Sequence, residues 1–294
     1  MRIRIMIRLV PLLWFSLAAT GCIKEDRSGC QTAHIFIVRA YDRTGTELSR
    51  NEVGDVALFV FDSSLRFVER IDTHVGERIT IPAGGRSGIH IVGWGNLGGG
   101  SQNCPMFSPG DLKEGCCIDL MPNMHAADEV FSPDDLFRGE ITIDENDPDA
   151  QRELPIYREV GSMSITVRNL KTPGRTLPDT DYSIMVRETY SGIDFHGNPT
   201  GEKVCYCTSG TFISEGGREV YYAAPFNMIP EPAGITVEIY RGSQLVVSVS
   251  RDKEDKPIAV EKDRLTNVLI ELKGLVEVSV SVTEWGNRQV WKEF

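Results

Sequence analysis

Apolar and polar residues alternate with a period of two along most of the chain after residue 30. Short runs rich in Val, Ile and Phe are separated by clusters of Gly, Asp and Ser, a spacing typical of antiparallel β-sandwiches. Two very short joins, Arg241-Gly242-Ser243 and Lys273-Gly274, predict hairpins. The pattern therefore predicts an all-β protein, with no amphipathic helix longer than two or three turns. The predicted strands span 33–41, 55–62, 66–72, 77–81, 88–96, 161–170, 181–188, 203–210, 218–226, 235–242, 244–251, 264–274 and 275–285.

The length of the chain, 294 residues, is enough for two domains that each bury a core. An acidic, proline-containing stretch from Asp144 to Glu153 separates the two series of strands and is typical of an exposed linker. We therefore expect an N-terminal β-sandwich domain at 31–150 and a C-terminal β-sandwich domain at 151–294. The intervening stretch 98–135 contains three consecutive glycines, several prolines and three cysteines, so it is predicted to be a loop excursion braced by a disulfide.

The first 21 residues have the features of a secretory signal peptide. A basic start is followed by about eleven uncharged residues, which is too short to span a bilayer. Ala19-Thr20-Gly21-Cys22 resembles a bacterial lipobox, with Ala19 where Leu is commoner. We expect residues 1–21 to be removed, Cys22 to be lipidated, and 22–30 to form a lipidated linker. Two or three acyl chains anchor a protein stably, whereas the alternative is an ordinary cleavage site that precedes a cysteine.

The residues directly after Cys22 carry a second candidate signal. Lys24, Glu25 and Asp26 place one base and two acids beside the lipidated position, which looks like the export signal of Bacteroidota surface lipoproteins. A solvated linker of the same composition is the alternative. The position beside Cys22 favours export, so we expect a lipid-anchored, surface-exposed protein of the cell outer membrane.

Six cysteines remain once Cys22 is assigned to lipid, an even number in a compartment where disulfides persist. The sequence does not choose among their possible pairings. Cys205-x-Cys207 places two thiols on one face of a strand, but no second Cys or His pair stands at the spacing of zinc ligands, so no metal site is expected. The disulfide candidates are Cys30, Cys104, Cys116, Cys117, Cys205 and Cys207.

Charge and motif content exclude several classes of function. A formal net charge of −11 makes the chain a poor partner for the phosphates of nucleic acid. The sequence has no H-E-x-x-H, G-x-S-x-G or P-loop motif, and its histidines are isolated from one another. Carboxylates are abundant, but nothing places two of them at the separation that glycoside hydrolysis needs. We therefore expect no catalytic residue, no cofactor and no nucleic-acid partner.

Several motifs follow one another in a fixed order along the chain. They are the lipobox, CIKEDRSGC (22–30), VALFVFD followed by FVERI, ITIPAGGRSGIHIVGWGNL (79–97), DLFRG (135–139) and, more loosely, LPIYREVGSMSITV (154–167) and VSVTEW (280–285). The chain resembles the fimbrial anchor and minor-subunit lipoproteins of Bacteroidota, the FimB-like family. The resemblance implies two tandem transthyretin-like β-sandwich domains and a role in attaching or terminating pili built from related pilins. The chain departs from the family pattern in the excursion after Trp94-Gly95-Asn96.

Two functions from different classes follow from these observations. The first is a fimbrial anchor or accessory subunit that binds a pilin by β-strand addition. The second is a surface glycan-binding lipoprotein that captures sugars on exposed aromatic side chains. A hydrophobic groove or unpaired sheet edge favours the first function, and a cluster of coplanar exposed aromatics favours the second.

Three tryptophans and the C-terminal tail bear on this choice. Trp94 lies between two glycines, which permits sugar stacking, but we interpret it as a core residue. Trp285 and Trp291 suit either a core or an interface. The tail, 285–294, holds a glycine, an asparagine and three charges around three large apolar side chains, so it is poorly patterned to fill a hydrophobic groove. We therefore expect the protein to accept a pilin segment, with Trp285 and Trp291 packed on its own second domain.

Overall fold

The computed structural model describes residues 33–82, 88–104, 106–123, 128–143, 152–171 and 182–291. Within these ranges the regular structure consists of β-strands and two short 3-10 turns, Leu97–Gly99 and Lys113–Gly115, which confirms the predicted all-β class. The first strands are β1 (Ala33–Tyr41), β2 (Glu47–Leu48), β3 (Asp55–Asp62), β4 (Phe67–His74), β5 (Arg78–Pro82), β6 (Ile89–Gly95), β7 (Gln102–Asn103), β8 (Cys117–Leu120), β9 (Glu129–Val130) and β10 (Phe137–Ile143). The later strands are β11 (Arg152–Arg158), β12 (Gly161–Arg168), β13 (Tyr182–Asp194), β14 (Pro199–Thr208), β15 (Thr211–Glu215), β16 (Arg218–Met228), β17 (Glu231–Arg241), β18 (Gln244–Val249), β19 (Ile258–Val260), β20 (Arg264–Lys273) and β21 (Leu275–Glu284).

The first sheet has the strand order β2-β1-β11-β10-β6-β3-β4, and β5 pairs with the other part of β1. Burial alternates along β1, where Phe36 and Val38 face the core and their neighbours are partly exposed. Strand β3 is instead buried on both faces, because Leu58 packs in one apolar cluster and Phe59 in another. The alternating pattern thus marks a strand with one covered face, and the continuous apolar run marks a strand with two.

The second half of the chain forms two facing sheets. One has the order β15-β16-β12-β20-β21 and the other has the order β18-β17-β13-β14-β9, with β19 beside β17 and β8 beside β13. Side chains from both sheets belong to one buried cluster, as Val167 of β12 and Val186 of β13 illustrate. Both predicted hairpins are confirmed: Gly242 and Gly274 sit in the two tips with positive φ, a conformation that glycine adopts without strain.

Strands from each half of the sequence complete sheets of the other half. Strand β11 follows the position 150 at which the sequence places a domain boundary, yet it pairs with β1 and β10. The excursion supplies β8 and β9, which pair with β13 and β14. The change from the first sheet to the second sandwich therefore falls between β11 and β12.

The junction between the first sheet and the second sandwich is built around Arg158. Its guanidinium donates to both carboxylate oxygens of Asp135, at 2.5 and 2.9 Å, and to the carboxylate of Asp263. The same group lies between the rings of Phe137 and Trp285, with its carbon 4.8 and 4.1 Å from the two ring centroids. Burial raises the pKa of the Asp135 carboxyl although Arg158 opposes the shift. A single buried cation thus joins the end of β11, the start of β20 and the end of β21.

A second buried cation, Lys113, attaches the excursion to the first sheet. Its ammonium donates to Glu140 Oε2 and to His90 Nε2, both at 2.8 Å. Because His90 Nε2 accepts this bond, Nδ1 carries the proton and donates to Thr142 Oγ1 at 2.9 Å. Burial and the nearby Lys113 charge lower the pKa of His90. Burial raises the pKa of Glu140, but Lys113 and Arg138 outweigh it and hold that pKa below its ordinary value.

The lowered pKa of His90 predicts a loss of stability at mildly acidic pH. The unfolded chain binds this proton near the ordinary histidine pKa of about 6.5, whereas the folded chain binds it only at lower pH. The stability that neutral His90 contributes is therefore complete above about pH 6.5. It is lost as the pH falls below that value toward the lower pKa of the folded state. We expect His90→Gln, which accepts from Lys113 without titrating, to flatten the change in unfolding midpoint between about pH 7.5 and 5.5. The matched control is His196→Gln at an exposed histidine, and an equal pH response in both variants would contradict the prediction.

Four of the predicted disulfide candidates, Cys116, Cys117, Cys205 and Cys207, are free thiols. Cys116 Sγ donates to Leu112 O at 3.2 Å, and Cys117 Sγ donates to the Asp119 carboxylate at 3.3 Å. Burial raises the pKa of the Cys116, Cys117 and Cys205 thiols to about 11, which disfavours the thiolate that disulfide exchange requires. The expected disulfides do not form at these four positions, and the pairing of β8 and β9 with β13 and β14 holds the excursion instead.

Candidate binding surface

Strands at the edges of the sheets differ sharply in charge. One edge strand of the first sheet, β4, exposes Glu69, Arg70 and Asp72. The edge strand β18 has the sequence QLVVSV, which contains no charged residue. The edge strand β21 has the sequence LVEVSVSVTE, in which Glu277 and the last residue, Glu284, are charged. Charged side chains on an edge strand prevent unwanted pairing with other chains. Strand β18 lacks this protection and β21 has only Glu277 and the terminal Glu284, so these two edges are the candidate binding surface.

The two unprotected edges lie on the same side of the second sandwich. Strand β18 ends one sheet and β21 ends the facing sheet. The loop after β18 crosses between them, where Lys253 N donates to Val278 O at 2.9 Å. Val247 of β18 and Val278 of β21 are both buried in the shared apolar cluster. Both edge strands therefore contribute side chains to the shared core, and the loop after β18 bridges the two edges at Lys253.

Strands β18 and β21 both expose large apolar side chains near their first residues. Leu245 and Val246 of β18 have 47% and 41% of their surface exposed, and Leu275 and Val276 of β21 have 82% and 48% exposed. We call these four residues the apolar rim. Clustered exposed apolar residues on a protein surface mark interaction sites more often than single ones do.

Strand register places the apolar rim at one end of the second sandwich. Arg241, next to the tip at Gly242, pairs with Tyr182 at the start of β13. The Tyr182 ring packs on Tyr221, whose hydroxyl donates to Tyr182 O at 2.8 Å. Tyr221 pairs with Val167, which pairs with Ile270 close to the second tip. Both hairpin tips and the apolar rim therefore share one end, opposite to the Arg158 junction at the start of β20.

The backbone of β21 has an unpaired side. Val278 O points away from β20, since it accepts from Lys253. In an antiparallel pair, outward and inward backbone groups alternate along the strand. The N–H and C=O groups of Val276, Val280 and Val282 therefore also point outward. The Lys253 contact divides this edge into a part beside the apolar rim and a part toward the junction.

The C-terminal tail lies along the same sandwich and is bonded to it. Arg288 donates to Glu215 Oε1 at 2.8 Å, and its guanidinium lies 3.7 Å from the centroid of the Tyr222 ring. Gln289 N donates to Asn267 Oδ1 at 3.1 Å. Arg168 donates to Trp291 O at 2.9 Å, which fixes the last described residue. The tail is thus already bonded to the second sandwich of its own chain.

Exposed aromatic residues do not form a flat cluster in the described part of the chain. Trp94 is fully buried, which confirms its interpretation as a core residue and excludes sugar stacking on it. Tyr41 and Tyr157 lie 6.1 Å apart, with their rings tilted by 32°. The Tyr41 hydroxyl donates to Glu153, and this bond raises the pKa of Tyr41 to about 12. The geometry favours recognition at a sheet edge over recognition by coplanar aromatics.

The residues that the sequence predicts as sites are not those that form the candidate binding surface. Cys22, Lys24, Glu25, Asp26 and Cys30 lie outside the described residues. In the described ranges there is no group of three or more His, Cys, Asp or Glu placed to hold a metal, and no helix is long and apolar enough to cross a membrane. Sequence reasoning missed the apolar rim, although the uncharged run of β18 was a readable signal. Its exposure was not readable, because burial depends on which strands become edges.

Solved structures define the fold class. A candidate adhesin from Bacteroides ovatus superposes with a TM-score of 0.62, with 13% identity over 86% of this chain and 94% of that chain. The fimbrial anchor protein Mfa2 from Porphyromonas gingivalis gives a TM-score of 0.58, with 12% identity over 85% of this chain and 98% of that chain. The protein therefore has the β-sandwich fold of these solved structures.

Sequence comparison narrows this class to one family. The family model of the fimbrillin-A-associated anchor proteins Mfa1 and Mfa2 matches residues 29–291. The major fimbrium anchoring subunit FimB of Porphyromonas gingivalis is 27% identical over 301 residues, covering 93% of each chain. The chain belongs to the family of fimbrillin-A-associated anchor proteins, which confirms the fimbrial resemblance carried by the sequence motifs.

Proposed function

We propose that this protein anchors a fimbrium to the outer membrane through lipid on Cys22 and binds a fimbrial subunit by accepting an extended segment of it. Membership of the anchor family over residues 29–291 is the observation that carries the proposal. Lys24, Glu25 and Asp26 direct the lipoprotein to the outer face of that membrane. The fimbrial partner then binds from outside the cell.

The assignment as acceptor rests on the bonded C-terminal tail and on the β18 and β21 edges of the second sandwich. The tail is hydrogen-bonded through Gln289 and Trp291 and is ion-paired through Arg288, so its release as a donor strand breaks all of these contacts. The β18 and β21 edges, in contrast, offer outward backbone groups beside exposed apolar side chains. Strand addition uses such groups for affinity and alternate side-chain pockets for specificity.

Recovery of the intact lipoprotein from its own outer membrane tests the proposal. We expect fimbrial subunits to be recovered with the wild-type protein. Deletion of residues 287–294 removes the partner of buried Glu215 and is expected to lower stability by about 1–3 kcal/mol. If the protein is an acceptor, the deletion leaves recovery of the subunit within about twofold, well under 1 kcal/mol of binding free energy.

The outcomes separate acceptor from donor. Thermal unfolding establishes that the truncated protein is folded before it is compared with the wild type. Loss of the subunit from a folded truncation makes the tail the donor and reverses the assignment. Absence of any fimbrial subunit from the wild-type sample removes the anchoring role itself.

A further inference from the structure

We infer that Leu65 and Leu112, at the end of the first sheet from which the chain leads back to Cys22, rest on the lipid surface that holds the Cys22 acyl chains. This inference rests on the proposed anchoring function and deepens it by assigning a second contact with the membrane. The partner is a lipid bilayer, and the contact fixes which end of the protein faces away from it.

Leu65 occupies a turn position that suits glycine. In the loop between β3 and β4, Asp62 N donates to Arg66 O and Leu65 N donates to Asp62 O, both at 2.9 Å. The Asp62 carboxylate accepts from Ser64 N at 2.8 Å and from Arg66 N at 3.0 Å. These bonds hold Leu65 at a φ of 58°. Left-handed backbone of this kind is costly for a residue with a Cβ atom, whereas glycine adopts it freely.

The same loop recurs three times in the part of the chain that the structure describes. In each copy an Asp carboxylate accepts from the N–H groups two and four residues later, and the N–H three residues later donates to the C=O of that Asp. The left-handed position in these copies holds Gly45, Gly197 and Asp255, with φ values of 84°, 84° and 62°. Glycine and aspartate tolerate this conformation. Among the four loops, only the one with Leu65 places an aliphatic side chain there.

Burial does not explain the leucine in this loop. Leu65 is 41% exposed, although it lines a cleft of about 220 Å³ together with the buried residues Ile89 and Ile143. An exposed aliphatic side chain in an unfavourable backbone conformation gains little from folding. Unfavourable backbone conformations that persist in a folded protein are found mainly at functional sites. We therefore assign the favourable contact of Leu65 to a partner outside the chain.

A second exposed leucine lies beside this loop. Leu112 is 50% exposed and pairs with Arg66, the residue after Leu65. The charged residues next to the two leucines, Arg66, Asp111 and Glu114, are exposed as well. Charged side chains stay in the hydrated headgroup layer of a membrane. The contact is therefore shallow and reaches only as deep as two leucine side chains.

The position of the leucines relative to the N-terminus argues for lipid as the partner. Asp62 at the end of β3 pairs with Ile89, which pairs with Ile143 at the end of β10. Strand β1 begins at this end of the sheet, because it is parallel to β11 and β11 is antiparallel to β10. Its first residue, Ala33, is eleven residues after Cys22, which corresponds to at most about 40 Å of extended chain. The lipid on Cys22 therefore holds this end of the first sheet close to the membrane.

Two attachment points on one end of the protein define an orientation. Four strand spacings separate β1 from β3 in the first sheet, which corresponds to about 19 Å. A body held at a single point is free to tilt about it, whereas a second contact at this distance opposes the tilt. The Arg158 junction and the apolar rim then lie on the side away from the membrane, where a fimbrial subunit has access to them.

Quenching of fluorescence by brominated lipid tests the contact. The acylated lipoprotein is reconstituted in phosphatidylcholine vesicles with and without bromine on the acyl chains, as the wild type and as Leu65→Trp, Leu112→Trp and Leu245→Trp. We expect brominated lipid to lower the emission that Leu65→Trp and Leu112→Trp add about twofold, because side chains at the boundary of headgroups and acyl chains meet the bromine atoms. The emission that Leu245→Trp adds is expected to stay unchanged, since Leu245 is equally exposed but belongs to the apolar rim.

The variant Leu65→Gly separates a membrane contact from support of the fold. Glycine fits the left-handed position, so we expect the unfolding midpoint to stay within about 3 °C of the wild type. A larger loss of stability would show that Leu65 serves to cover Ile89 and Ile143, and it overturns the inference. Absence of quenching for both Leu65→Trp and Leu112→Trp in folded, acylated protein overturns it too, as does equal quenching of Leu245→Trp. A wild-type protein without acyl chains instead contradicts the proposed anchoring function.

Discussion

Replacement of Cys22 by serine is expected to abolish incorporation of labelled palmitate and to leave an unprocessed precursor. A serine hydroxyl does not replace the thiol that receives the diacylglyceryl group, and cleavage of lipoprotein precursors follows that transfer. Without acyl chains, nothing in residues 22–32 provides the apolar contact that holds a protein on a bilayer. The measurement is radiolabelling of whole cells followed by precipitation of the protein. Normal labelling of Cys22→Ser would remove the membrane-anchor proposal.

A variant of the adjacent signal provides the matched control. Simultaneous replacement of Lys24, Glu25 and Asp26 by alanine keeps Cys22 and is expected to keep the palmitate label. If these residues direct export, the labelled protein becomes protected from protease added to whole cells, because it stays on the inner side of the outer membrane. Equal digestion of the variant and the wild type would show that 24–26 are only part of a linker.

Replacement of Arg158 by methionine is expected to destabilise the folded chain by about 3–5 kcal/mol, or roughly 10 °C in unfolding midpoint. Arg158 is the common partner of Asp135 and of buried Asp263, so its loss leaves two carboxylates without their cation. Methionine keeps the apolar packing between Phe137 and Trp285, which limits the effect to the charge. Thermal and denaturant unfolding of the lipid-free protein measure the change.

An exposed arginine on the neighbouring strand serves as the control. Arg39 of β1 bonds to Glu47 at 2.7 Å and lies 3.3 Å from Glu153, but its side chain is 36% exposed. Solvent screens such pairs, so Arg39→Met is expected to change stability by less than about 1 kcal/mol. Equal effects of the two substitutions would show that the Arg158 cluster does not hold the junction together.

Strand positions were predictable because side-chain alternation is a local property. Strands β1 and β3 have the bounds that their apolar patterns predict. Strand β11 was missed, since its sequence RELPIYR mixes charges, a proline and alternating apolar residues. Pro155 has no N–H to donate, and the antiparallel pairing of β11 with β10 is correspondingly confined to residues 157 and 158.

The disulfide prediction failed at four positions for a similar reason. An even number of cysteines in an oxidising compartment favours bridges, but a bridge also needs two thiols at bonding distance. Cys205 is covered where β14 pairs with Glu129 of β9, while Cys207 lies beyond that contact and is exposed. The sequence contained no information on this pairing, because β9 comes from the excursion.

The sequence by itself determined the all-β class, the two hairpins at Gly242 and Gly274, the core position of Trp94 and the family to which the chain belongs. Each of these depends on residue order over short distances. The tertiary structure decided that β11 joins the first sheet, that the excursion completes the second sandwich, and that β18 and β21 remain as open edges. These features depend on backbone hydrogen bonds between residues far apart in the chain, and such bonds use the same N–H and C=O groups at every residue. Side-chain patterns therefore locate the strands, whereas only the assembled sheets show which edges are left unpaired.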